Sequence, residues 1–356
     1  MAFLTHRTSG AGWTSAWAPD HPVLEVLRAR RQSSSKPGSR TDGFRVALAL
    51  EGGGMRGAIS AAMVSAIEEC GFRDAVDVVY GTSSGAVNAA YFVAGTTWLP
   101  LSIYFDDLPS RTFVDFRRAL VRRPIMNIDY AYEEVVRTRK PLDHGAVVRS
   151  PIKLVVTVSD VDALTTLAAT DFTSTEDLHA ALRASAWLPI AVRGTTDFRG
   201  RRSVDGGVLM AHPRTQALRD GATHVLSCST KPMGSPRGGV RPGTRLVIRY
   251  MDRLEPGLGA GYRRALEALK DDQGDLARQR VSPAPRGPWV LDAAPLPGTE
   301  PLGRQEMRPW KILQACRDSF TLMASMLEGV PEAAVRSGEV SSVPRLALVK
   351  GGRPWA

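Results

Sequence analysis

The stretch VDVVYGTSSGAVNAAYFV, Val76 to Val93, decides the reading of the fold. Val76 to Tyr80 is a short apolar run without alternation, the pattern of a strand covered on both faces as in a parallel sheet. Ala86 to Val93 carries helical spacing. Between them stands Gly81-Thr82-Ser83-Ser84-Gly85, a Gly-x-Ser-x-Gly turn. Glycine at both ends permits a sharp elbow that lifts a serine hydroxyl to the carboxyl edge of the sheet. Ser83 is therefore the candidate nucleophile. A helix N-cap is the plain alternative, and Thr82 or Ser84 would fill that role equally well.

The same strand–turn–helix order stands just upstream. Arg45 to Leu50 reads as a strand, Gly52-Gly53-Gly54-Met55-Arg56-Gly57 as a turn, and Ala58 to Cys70 as a helix with Ile59, Met63, Ala66 and Ile67 on one face. Two such units predict buried parallel strands in an α/β sheet. Bare N–H groups at a helix start favour negative charge, so this turn suits an oxyanion or, since it also fits G-x-G-x-x-G, a dinucleotide pyrophosphate. The dinucleotide reading needs an acid at the carboxyl end of the second strand, whereas Asp77 lies near that strand's beginning. Further strands are predicted at Ile152 to Val158, Thr166 to Thr170 and His224 to Cys228.

Outside this frame the chain changes character. Gln32 to Asp42 (QSSSKPGSRTD) is polar and aperiodic and predicts a flexible arm or linker, preceded by a short helix over Pro22 to Arg31. Beyond Lys231 glycine and proline rise, predicting a loop-rich cap with helices near Gly261 to Lys270 and Pro309 to Leu327. The expected organisation is an arm and linker over 1–43, a catalytic core over 44–230 and a C-terminal part of the same domain over 231–356.

Composition narrows the classes. The three cysteines, Cys70, Cys228 and Cys316, are far apart and form no CxxC, so neither a disulfide framework nor a structural metal is expected. No apolar run approaches the roughly 20 residues of a membrane-spanning helix, and Met1 to Asp20 lacks a charged start followed by an apolar core. A soluble, cytoplasmic protein is the expectation. The net charge of +10 favours anionic partners. Arginines are scattered rather than gathered with aromatics, so nucleic acid is not expected. Tyr91 to Leu101 and Tyr104-Phe105, followed by Arg117-Arg118 and Arg122-Arg123, predict peripheral contact with an anionic membrane. Core packing plus a solvated face is the alternative for that stretch.

A serine needs a base and donors for the oxyanion. The N–H groups of the first turn, chiefly Gly53 and Gly54, are placed to supply the donors. For the base, His212 and His224 are the histidines late in the chain, where a Ser-His-Asp arrangement would need one. The better candidate is Asp205, on the tight turn Ser203-Val204-Asp205-Gly206-Gly207.

Taken in order, Glu51 to Gly57, Gly81 to Gly85, Ala184-Ser185-Ala186-Trp187-Leu188-Pro189 and Asp205-Gly206-Gly207 resemble the four blocks of the patatin-like phospholipases, over about Arg45 to Leu226. That resemblance implies a three-layer sandwich with a mainly parallel central sheet flanked by helices. It implies hydrolysis of lipid or phospholipid acyl esters by a Ser-Asp dyad without histidine and without a cofactor. Ser83 would be the nucleophile on an elbow of Gly81, Thr82, Ser84 and Gly85, and Asp205 the proton acceptor. Gly52, Gly53, Gly54, Met55, Arg56 and Gly57 would form the oxyanion loop, with Arg56 steadying it or attracting a phosphate. Glu51 departs from the family, which often has aspartate there. The rival readings are a nucleotide-binding oxidoreductase and a catalytically silent binding module, and the retained Ser83 and Asp205 argue against the second.

Overall fold

The computed structural model describes residues 5–7, 13–240, 242–330, 349–350 and 353–354. An eight-stranded sheet is built from β1 (Val46–Leu50), β2 (Val78–Thr82), β3 (Lys153–Asp160), β4 (Thr165–Ala169), β5 (Thr196–Phe198), β6 (Arg201–Asp205), β7 (His224–Cys228) and β8 (Trp289–Ala293). The strand order is β8-β7-β1-β2-β3-β6-β5, and β4 pairs with β3. From β8 to β3 all neighbours are parallel, while β6, β5 and β4 are antiparallel additions. The mainly parallel α/β sheet is as the sequence predicts.

Every residue of β1, β2 and β7 is buried, which explains the unbroken apolar runs Val46 to Leu50 and Val78 to Tyr80. Alternate residues serve different layers. Leu48, Leu50, Val79 and Val156 face the core shared with α2 (Gly57–Glu69) and α3 (Ser84–Ala94). Ala47, Ala49, Val78, Tyr80 and Val155 pack toward α5 (Arg214–Arg219) and α7 (Leu258–Val281) on the other side. α2 is buried from Gly57 through Ile67 because α8 (Pro309–Glu328) covers its outer face. A helix apolar on all sides is stable only in such a position, and each large side chain buried there contributes about 1.5–3 kcal/mol.

Three expectations need correction. The stretch Gln32 to Asp42 is not a loose linker. α1 (Pro22–Gln32) buries Val23, Leu24 and Leu27, and its Arg30, 2% exposed, pairs with Asp42 at 2.7 Å and Asp77 at 2.8 Å. Arg40 reaches Asp77 at 2.6 Å and Lys36 pairs with Asp74, so charge pairs pin the segment at both ends. The C-terminal region is more helical than its glycines and prolines suggest. It carries α6 (Pro242–Leu254), a 24-residue α7 and the parallel edge strand β8, of which only part of α7 and α8 were predicted. Finally, Tyr91, Phe92, Val93, Tyr104 and Phe105 are all core residues, so they present nothing to a bilayer. Among the described residues no helix is long and apolar enough to cross a membrane.

Candidate active site

Ser83 stands between β2 and α3 with φ 57° and ψ −130°, a conformation an L-residue adopts only at a cost of about 1–3 kcal/mol. The turn closes because Gly81 has no side chain. A Cβ there would lie 2.5 Å from Ala86 Cα. The strained backbone is held by Ser185, whose Oγ accepts the Ser83 N–H at 2.8 Å and donates to the Thr157 carbonyl at 2.8 Å.

The glycine turn after β1 lies directly against this elbow. A Cβ on Gly52 would come within 2.7 Å of Ser83 Cβ and closer still to the Thr82 carbonyl. Glu51 fixes the turn from behind, its Oε2 accepting the Thr230 N–H at 2.6 Å and hydroxyl at 2.9 Å. The Gly53 N–H is donated to Ser84 Oγ at 3.0 Å, and the Met55 N–H to the Arg304 carbonyl at 3.0 Å. Among the described residues the Gly54 N–H has no protein acceptor. Gly52, Gly53 and Gly54 line the cleft over Ser83; Met55, Arg56 and Gly57 do not. Arg56 is buried and folds back beneath Gly53, its charge beside Glu51; its Nε has no hydrogen-bond partner among the described residues, and the side chain is not part of the cleft lining.

β3 sets the position of Asp205. Thr82 pairs with Thr157 on one edge of that strand, and Asp205 pairs with Val158 on the other. Adjacent strands lie about 4.8 Å apart, so the strands that carry Ser83 and Asp205 stand about 10 Å apart with β3 between them, and the two side chains meet over β3. The Asp205 N–H donates to the Trp187 carbonyl at 2.9 Å, and its Oδ1 accepts the Gly207 N–H at 2.7 Å. Burial pushes the carboxyl up from its ordinary 3.8 to about 6, against the pull of the Ser83 hydroxyl and the Gly207 N–H. The block Ala184 to Pro189 thus has a physical role: Ser185 holds the backbone of Ser83 and Trp187 that of Asp205.

These residues stand in a cleft of about 1330 Å³, open mouth included, lined by apolar side chains such as Val87, Leu108, Phe113, Ile128 and Leu266, with Tyr262, Arg304 and Gln305 on its walls. No histidine lines it. His212 is wholly buried and kept neutral by that burial. Its Nδ1 accepts the Arg214 N–H, and its Nε2 faces Ser227 and Ser229. His224 opens β7 at the opposite edge of the sheet, between Phe44 and Trp289. Asp77 also sits at that far edge, held by Arg30 and Arg40, where it is remote from the glycine turn. Sequence reasoning missed Ser185, Thr157 and Arg304. The first lay in a recognised block; the other two carry no local signal, since strand pairing and a distant loop bring them in. Among the described residues no cluster of acids, histidines and cysteines has the form of a metal site.

A family model described as patatin-like phospholipase matches residues 48–218, about half of the chain. The chain is 26% identical over 355 residues to uncharacterized NTE family proteins of Mycobacterium bovis and Mycobacterium tuberculosis, covering 89% of this chain and 90% of theirs. It is 26% identical over 192 residues to the uncharacterized protein YjjU of Escherichia coli, covering 53% of this chain and 52% of that one. The match therefore spans about half the length of the latter. Among solved structures, VipD from Legionella pneumophila superposes with a TM-score of 0.44 at 12% identity, over 81% of this chain and 67% of its own.

Proposed function

We propose, on the premise that residues 48–218 are a domain of the patatin-like phospholipase family, that the chain is a lipid acyl hydrolase acting through Ser83 and Asp205. One observation carries the reading: a serine on a strained elbow beside a buried carboxylate, at one end of an apolar cleft wide enough for an acyl chain. The ionised Asp205 accepts the Ser83 proton as the hydroxyl attacks the ester carbonyl. The Gly54 N–H, left free by the loop's own bonds, receives the oxyanion, with the Ser84 N–H at the start of α3 beside it. Collapse passes the proton from Asp205 to the leaving alcohol and leaves an acyl-serine. Water, deprotonated by Asp205, then releases the fatty acid and returns the proton to Ser83.

Because the base must be ionised, kcat/KM on a neutral p-nitrophenyl ester falls about tenfold per pH unit below the Asp205 pKa and stays level above it. With that pKa at about 6, the inflection belongs near pH 6. A hydrolysis screen over p-nitrophenyl esters of graded length and defined phospholipids, repeated across pH, tests both points. No ester turnover at any pH, or a profile with its inflection in the ordinary carboxylate range, sinks this assignment of the base.

The exposed apolar residues that suit a membrane lie after the nucleophile helix rather than on it. Phe116, Leu120 and Val121 are 56%, 86% and 66% exposed, interleaved with Arg117, Arg118, Arg122 and Arg123. Met126 and Ile128, a few residues on, line the cleft. We place reversible contact with anionic bilayers at this loop. Each arginine near an acidic surface contributes about 1 kcal/mol, lost as salt rises. Ser83→Ala protein is expected to co-sediment with phosphatidylglycerol-rich vesicles at low salt, and to do so less with phosphatidylcholine, at high salt, or with Arg122→Glu and Arg123→Glu. Equal binding to both lipids would leave the loop as ordinary solvated surface.

A further inference from the structure

Behind the acyl cleft lies a second one, of about 1030 Å³ with its mouth, between β4, the segment Leu209 to Arg219 and one face of α7. Ala211 and Leu269 line both clefts, so the two adjoin at these residues. The chemistry of the second is different. Arg214, Arg219 and Arg264 line it together with the hydroxyl residues Thr165, Thr166 and Thr215, and Asp272 is the single acid among its lining residues.

Its charges are incompletely matched. Arg214 is 2% exposed and reaches Asp272 through Nη2 at 3.3 Å, but its Nη1 is buried without any hydrogen-bond partner. An unpaired guanidinium nitrogen in such a place is costly and calls for an acceptor. Arg219 and Arg264 are exposed and form no ion pair or side-chain hydrogen bond among the described residues. His212, which also lines the cleft, is neutral through burial and the nearby Arg214, so it adds no competing charge. Three arginines thus converge against one carboxylate.

We propose that this cleft binds a phosphate group, held by Arg214, Arg219 and Arg264. Guanidinium groups present paired N–H donors that match the oxygens of a phosphate, and threonine hydroxyls supply further donors at the same rim. The phosphate belongs either to the headgroup of a lipid whose ester lies at Ser83 or to a separate soluble molecule. The headgroup form rests on the acyl-hydrolase reading, whereas phosphate binding itself does not.

The probe is inorganic phosphate, titrated calorimetrically into the full Ser83→Ala chain at constant ionic strength. The same titration is made on that chain carrying Arg219→Ala and Arg264→Ala, two exposed positions whose loss leaves the core intact. Saturable binding is expected, weakened about tenfold or more in the double variant. With active enzyme, competitive inhibition of phosphatidate hydrolysis by phosphate, and a KM for phosphatidate raised several-fold more than that for p-nitrophenyl butyrate in the double variant, assign the phosphate to a headgroup. Phosphate that alters p-nitrophenyl butyrate turnover without competing against phosphatidate assigns it to a soluble ligand. Absence of saturable phosphate binding, or binding unchanged by the double substitution, overturns the site. Loss of ester hydrolysis alone, with phosphate binding intact, counts against the acyl-hydrolase reading and not against this one.

Discussion

Asp205→Asn is expected to yield a folded protein that turns over esters about four orders of magnitude more slowly, the usual scale for loss of a base acting with a nucleophile. The amide retains the shape of the carboxylate and still accepts the Gly207 N–H through its oxygen, so the turn after β6 survives. It cannot take the Ser83 proton. Stability moves the other way. Burial raises the folded-state pKa of Asp205 from 3.8 to about 6, so its favourable contribution is present below pH 4 and is lost as pH rises through 6. Above that, the ionised carboxylate costs about 3 kcal/mol, a cost the neutral amide never bears. Urea denaturation of the Asp205→Asn chain is therefore expected to show a gain over wild type at pH 8 that vanishes near pH 4. His212→Ala and His224→Ala are expected to cost packing and hydrogen bonds and to leave turnover largely intact. Either histidine variant proving as inactive as Asp205→Asn would restore the Ser-His-Asp alternative.

An active-site-directed fluorophosphonate is expected to add one group per chain, at Ser83, and Ser83→Ala to abolish both labelling and turnover by about six orders of magnitude. The neighbouring hydroxyls are already committed. Ser84 Oγ accepts the Gly53 N–H and is bonded to the buried Tyr104, while Ser185 Oγ spends its proton on the Thr157 carbonyl. Among these neighbouring hydroxyls only Ser83 combines an exposing backbone with an adjacent carboxylate. Intact-mass measurement followed by peptide mapping decides the point. A label on Ser84, or esterase activity persisting with no serine modified, would falsify the assignment.

What the sequence disclosed was local. The apolar runs of β1 and β2, the glycines of both turns and the Asp-Gly-Gly turn all act through their immediate neighbours, so their types and order are enough to read them. The corrections concern partners that stand far away in the chain. Gln32 to Asp42 reads as flexible because its composition is; its contacts with the core come from Asp77 and Asp74 meeting Arg30, Arg40 and Lys36. Tyr91 to Val93 and Leu120-Val121 are equally apolar as text. Which of them is covered depends on what packs against α3, which the letters do not state. α6 hides behind a Pro-Gly start that also suits a turn, and Trp289 to Ala293 is framed by the prolines of a loop-like region. Thr157 and Ser185 escaped notice because their value lies in the pairing of β3 and in one hydroxyl bridging two strands.

The pairing of β3 also bears on how the site tolerates change. Since Ser83 and Asp205 hang from opposite edges of one strand, their separation behaves as a quantised length. A strand shifts register by whole residues, about 3.3 Å at a time, and a single step also turns every side chain to the other face. Gentle breathing of the cap, the docked N-terminal helix or the cleft walls leaves the spacing untouched. An insertion or deletion of one residue within Lys153 to Asp160 would have no intermediate setting in which to settle. Substitutions in the cleft-lining segments around Phe113, Ile128, Leu266 and Arg304 can reshape the cleft without altering the register that sets Ser83 against Asp205.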